Sequence, residues 1–141
     1  STAAATVTAA APRPAAPAAE GAPVYVALAP EEQVNVQIRF DFDSAALRED
    51  QEPKLATLCD VMRRMDGVAF RVVGHTDAAG SEGYNQQLSL LRAREVRRHL
   101  TGSCGIAADR LEAVGVGEAY PLDAADPEAE ANRRVEFQAL G

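Results

Sequence analysis

An aspartate and an arginine fifteen residues apart, Asp77 and Arg92, bracket the stretch DAAGSEGYNQQLSLLR. A carboxylate accepts from an ammonium, and a guanidinium presents a fork of donors that matches a carboxylate. Two arrangements satisfy such a pair. The side chains could neutralise each other, which spacing alone favours, or they could frame a zwitterion. In the second case Asp77 takes the ammonium, Arg92 takes the carboxylate, and Asn85 adds a neutral amide between them.

The elements that must position these groups are legible around them. VAFRVVG (68–74) reads as a strand and the segment from about Tyr84 to Leu100 as a long helix, so Asp77 falls at a strand's carboxyl end beside a helix start. Open α/β sheets place ligands there. Gly80 and Gly83 allow a sharp turn that brings backbone N–H groups close to a bound group. At about 100° per residue, Asn85 and Arg92 lie on one line of the helix, two turns apart. Ser89, Ala93, Val96 and Leu100 form the adjoining stripe that should face the sheet, with Arg92 at the edge of the buried face. Arg94, Arg97 and Arg98 point elsewhere and read as a solvated face supported by Glu95.

Before that unit, VNVQIRF (34–40) alternates as a strand, and a helix from about Glu49 to Met65 carries the stripe Leu55, Leu58, Met62 and Met65, with Pro53 in its first turn and Gly67 as its stop. After it, RLEAVGVG (110–117) and NRRVEFQAL (132–140) read as two further strands. The fold class is α/β of the α+β type: one β-α-β-α-β-β domain with a mixed four-stranded sheet and helices packed on one face. It spans 31–141. Residues 1–30 are Ala- and Pro-rich, with too little large apolar surface to offset ordering entropy, and are expected to be a disordered linker.

Composition narrows the function classes. With 14 basic and 21 acidic residues the net charge is −7, which argues against nucleic acid or an anionic membrane as partner. No apolar run is long enough to span a bilayer, so membrane association would need a segment outside this sequence. Enzymatic chemistry lacks parts. His75, Asp77 and His99 do not make a metal set, because a third ligand of plausible spacing is missing, and no Ser or Cys sits in an activated context. No cofactor is expected. His75 reads as a residue that shapes the loop. Cys59, among Leu55, Leu58 and Met62, reads as a core thiol, with pairing to Cys104 as the lesser alternative.

The run GHTDAAGSEGYNQQLSLLRAREVRRHL, preceded by IRFDFDSAALR and followed by GIAADRLEAVGVGEAYP and NRRVEF, resembles the OmpA-like peptidoglycan-binding domain shared by OmpA-type outer-membrane proteins, Pal lipoproteins and MotB-type stator proteins. The resemblance covers residues 34–139. It implies a noncatalytic periplasmic domain of a Gram-negative envelope protein, of outer-membrane type, that grips the diaminopimelate of the peptidoglycan stem peptide. Diaminopimelate carries a free amino acid head group, which is a zwitterion. Carried over, the ligand residues are Asp77, Asn85 and Arg92, with Asp41 after the first strand, the backbone of Ala79, and one of Arg133 and Arg134. Strand alternation puts those two arginines on opposite faces, and Arg133 is preferred. Two departures stand out: Ala79 replaces a Thr found in some members, and the Gly-Arg pair often seen before NRR is absent from PEAEANRR. The alternative is a protein-interaction module on the same fold that binds another envelope protein.

Overall fold

The computed structural model describes residues 33–140. The linker expected over 1–30 lies outside them. Strand β1 (Gln33–Arg39) leads through a turn and a short 3-10 segment into helix α1 (Glu52–Arg64), with Pro53 in the first turn, where its missing N–H costs nothing. Strand β2 (Ala69–Gly74), helix α2 (Glu82–Gly102), strand β3 (Leu111–Gly115) and strand β4 (Arg134–Leu140) follow. The α2 N-terminus is capped by Ser81, whose hydroxyl accepts from the Tyr84 N–H at 3.1 Å. Gly83, expected in the turn, belongs to the first turn of this helix instead. Gly80, at φ +90°, is the glycine that makes the bend.

The sheet order is β1-β4-β2-β3. β2 and β3 are parallel, with Gly74 opposite Gly115, while β4 runs antiparallel to both β1 and β2. α2 is thus the crossover between parallel neighbours, and β4 inserts beside β2 last in sequence. The core lies between the sheet and the two helices. Ile38, Phe40, Phe70, Val72, Val135 and Phe137 meet Leu55, Leu58, Met62, Ala93, Val96 and Leu100 there, as the alternating strands and helix stripes require.

The opposite sheet face is less open than a strand covered on one side would be. Along β4, Arg134, Glu136 and Gln138 are also buried. Burial on both faces requires their polar groups to be paired. Glu136 accepts from Arg134 Nε at 2.8 Å and lies 3.0 Å from His75 Nε2, and Arg134 also donates to the Tyr120 carbonyl at 3.0 Å.

Glycines set the distance of α2 from the sheet. A Cβ on Gly74 would stand 1.9 Å from the Ser89 carbonyl oxygen, and one on Gly115 would stand 2.5 Å from the Leu90 nitrogen. Only hydrogen fits at either place. Ser89, pressed against this pair, accepts from the Gly117 N–H at 2.9 Å and donates to the Gln86 carbonyl at 2.8 Å.

Two expectations are corrected. Cys59 is buried among core residues, yet it is not a free thiol: it is bonded to Cys104, with Cα atoms 5.8 Å apart and a sequence separation of 45. The chain beyond α2 returns to α1, a proximity that sequence spacing does not carry. Arg63 reinforces this junction by donating to the Cys104 carbonyl at 2.8 Å. Arg97, expected on a solvated face, instead donates to the carbonyls of Leu111 and Ala108 at 2.9 and 3.0 Å, holding the start of β3. Arg98 pairs with Glu95 as expected.

Candidate functional site

The segment that follows β2 is fastened on both sides. The N–H of His75 donates to the Arg134 carbonyl at 2.8 Å, that of Thr76 to Gly117 at 3.0 Å, and that of Ala78 to Pro127 at 2.9 Å. The backbone between Gly74 and the α2 cap is therefore held by the chain after β3 and the chain before β4. Within it Asp77, 5% exposed, accepts from the Ala79 N–H through Oδ1 at 3.1 Å, the local turn that Asp favours. Asn85, buried on α2, ties the loop to the helix by donating through Nδ2 to the Ala79 carbonyl at 2.9 Å and the Asp77 carbonyl at 3.3 Å. Ala79 thus spends both backbone groups inside the loop.

Arg92 sits deeper than the edge of the buried face expected for it. It is fully buried. Its guanidinium donates to three neutral carbonyls, those of Ser44 at 2.8 Å, His75 at 2.9 Å and Asp41 at 3.0 Å, and lies over the Phe40 ring with its carbon 5.2 Å from the centroid. Among the described residues no carboxylate lies within 4.0 Å of it. Burial therefore pushes its pKa down to about 10, with the more distant Asp77 charge acting in the opposite sense. The mutual pair that spacing favoured is not formed. Asp77 instead faces Arg133, whose Nη1 is 3.4 Å from Oδ2, and Arg133 is anchored to the Phe40 carbonyl at 2.9 Å. At that separation the pair is looser than the 2.7–2.9 Å usual for charge-assisted bonds.

Asp77, Asn85, Ala79, Arg92 and Arg133 are thus brought together where β2, α2 and β4 meet. Asp41 contributes its carbonyl, while its carboxylate, 68% exposed, turns to Arg48 at 3.5 Å. Arg134 points to the far sheet face, as strand alternation requires. Among the described residues no group of three His, Cys, Asp or Glu is placed to hold a metal ion.

Three supporting residues escaped the sequence. Glu118 accepts from Asn85 Nδ2 at 2.7 Å, so a carboxylate from the chain after β3 fixes the orientation of that amide. Asn132, the first residue of the NRR motif, organises the loop before β4. Its side chain accepts from the Asp123 N–H at 2.8 Å and donates to the carbonyls of Asp123, Asp126 and Pro127 at 3.0–3.2 Å. An Asn in a Pro- and Asp-rich loop was the available signal. Arg48 binds Asp50 at 2.6 Å and Glu130 at 2.9 Å, joining the loop after β1 to the loop before β4, and those hydrogen bonds raise its own pKa.

This arrangement has relatives. A model of the OmpA family matches residues 39–134. Outer membrane porin F of Pseudomonas aeruginosa is 39% identical over 108 residues, which are 75% of this chain and 31% of that protein. Outer membrane protein A of Bordetella avium is 36% identical over 110 residues, covering 76% of this chain and 56% of that protein. The chain spans about a third of the length of the porin F relatives it matches. Among solved structures, the peptidoglycan-associated lipoprotein from Burkholderia pseudomallei superposes with a TM-score of 0.67 at 27% identity, covering 75% of this chain and 91% of that one. The cell wall anchor of the T6SS from Pseudomonas aeruginosa gives 0.60 at 30% identity, with 74% and 79% covered. The chain belongs to the OmpA family.

Proposed function

We propose that this domain anchors an envelope protein to the cell wall from the periplasmic side by holding peptidoglycan noncovalently, through the diaminopimelate of the stem peptide. The observation that carries the proposal is a pair of under-partnered charges: among the described residues, the buried Arg92 guanidinium has only neutral carbonyls as direct partners, and the Asp77 carboxylate has a single loose ion pair, 3.4 Å from Arg133. A zwitterionic head group supplies each with a partner of opposite charge. Its ammonium replaces Arg133 at Asp77, and its carboxylate takes the guanidinium N–H groups that remain. Arg92 has five N–H donors, and carbonyls occupy three of its nitrogens. Reaching it requires Arg133 or the Asp41–Ser44 turn to shift, and the 3.4 Å contact at Asp77 is the one most easily given up. Asn85 and the Ala79 backbone then border the ligand, and Asp41 borders it through its carbonyl.

Two charge-assisted pairs contribute about 1.5–3 kcal/mol each before association costs of several kcal/mol, so affinity for one stem peptide falls between micromolar and millimolar. Rebinding along a polymeric wall raises the effective concentration. The names of two relatives support the setting: one solved structure is a peptidoglycan-associated lipoprotein and another is a cell wall anchor.

The test is sedimentation with purified insoluble peptidoglycan. Wild type is expected in the pellet and free diaminopimelate should release it, while Asp77→Ala and Arg92→Ala should stay in the supernatant. A folded wild type that remains soluble would overturn the proposal and turn attention to a protein partner for the same surface.

A further inference from the structure

Six aromatic side chains fall among the described residues, and Phe40, Phe70, Tyr120 and Phe137 are buried. The other two, Phe42 and Tyr84, are 63% and 51% exposed. They come from different elements that one hydrogen bond connects. Tyr84, in the first turn of α2, donates its hydroxyl to the carboxylate of Asp43, the neighbour of Phe42 in the turn after β1.

Phe42 is not exposed because its loop is loose. On one side the Asp41 carbonyl receives Arg92 at 3.0 Å, and on the other Asp43 is held by Tyr84. Asp43 also adopts φ +55°, a left-handed conformation uncommon for a residue with a side chain, although Asp tolerates it better than most. A backbone carbonyl at Asp41 and a side chain at Asp43 thus tie down the residues on either side of Phe42, which is exposed two residues beyond the fully buried Phe40. Burying a phenylalanine is favourable, so one held in the open beside a candidate site offers a ligand apolar surface to cover. Leu91, 51% exposed and two turns along α2 from Tyr84, extends the apolar strip.

We propose that Phe42 and Tyr84, with the Asp43 carboxylate that Tyr84 binds, form a saccharide subsite that takes the amino-sugar backbone to which the stem peptide is attached. The proposal rests on the stem-peptide function given above. Continuity supports it, since Asp41 joins the Phe42 turn directly to Arg92. The chemistry matches as well: a pyranose ring presents an apolar C–H face for an aromatic ring and a rim of hydroxyls for a carboxylate acceptor. Charge points the same way. Asp41 and Asp43 on a chain of charge −7 disfavour an anionic surface but accept a neutral polyhydroxyl chain.

The experiment compares two probes by NMR titration: the stem tripeptide ending in diaminopimelate, and the same peptide carrying its N-acetylglucosamine and N-acetylmuramic acid. Wild type should bind the second about three- to tenfold more tightly. Phe42→Ala and Tyr84→Ala, checked for folding by circular dichroism, should erase that difference and leave peptide affinity within about twofold. Equal binding of both probes by wild type would overturn the subsite and leave the aromatic pair to a protein partner, as would a difference that survives in Phe42→Ala. Binding of neither probe by folded wild type would instead overturn the diaminopimelate function itself.

Discussion

Asp77 and Arg92 carry separable tasks, and conservative substitutions separate them. Asp77→Asn keeps an oxygen to accept the Ala79 N–H but removes the charge that faces Arg133. Wall sedimentation should therefore fall at least about tenfold while unfolding midpoints move little, which pull-down and a urea titration would check. Arg92→Lys keeps the charge but cannot reproduce the fork that reaches Ser44, His75 and Asp41 together. It should cost about 1–3 kcal/mol of stability as well as binding, because buried carbonyls lose their donor. The residue types and their seven- and fifteen-residue spacings were legible in the chain. The role of Arg133 as the direct partner of Asp77 was not, since 56 residues separate the two and only the return of β4 beside β2 brings them together.

At the scale of elements, the site depends on how closely α2 lies on β2 and β3. Gly74→Ala or Gly115→Ala places a methyl group against helix backbone that has nowhere to go, so each should destabilise by more than about 3 kcal/mol or prevent folding. Gly83 gives the control. It lies in the helix with nothing within 4 Å of an added Cβ, so Gly83→Ala should stabilise by about 0.5–1 kcal/mol in the same thermal melts. All four strands, both helices and their boundaries followed from periodicity to within a few residues. Periodicity could not tell a glycine that ends an element from one that admits a neighbour, because the neighbour comes from elsewhere in the chain.

At the scale of the whole molecule, two cross-connections set stability. The Cys59–Cys104 bond closes a loop of 45 residues, and constraint of the unfolded chain predicts a contribution of about 4 kcal/mol. Denaturant midpoints with and without reductant would measure it, and an unchanged midpoint would assign no stabilising role to the bond. The second connection is Glu136. Burial would raise its pKa, but the His75 and Arg134 charges and hydrogen bonds outweigh that and hold the carboxyl well below the ordinary carboxylate range. A carboxyl depressed in the folded state adds stability that is complete above its unfolded pKa and is lost as pH falls below it. Stability should therefore decline below about pH 4.5, and Glu136→Gln, though less stable at neutral pH, should show a shallower acid limb.

Local chemistry and period determined, from sequence alone, the order of elements, the core stripes, the strand-end position of Asp77 and the helix line shared by Asn85 and Arg92. These features involve residues within about twenty positions of each other, where backbone geometry dictates direction. Tertiary structure alone decided the rest. It paired Asp77 with Arg133 and surrounded Arg92 with carbonyls. It closed the cysteine bridge, buried the far face of β4 around Glu136, and tied Tyr84 to Asp43, the neighbour of Phe42. Each of these depends on which distant segment arrives beside another, and the packing of the sheet against its helices makes that choice, which no spacing along the chain records.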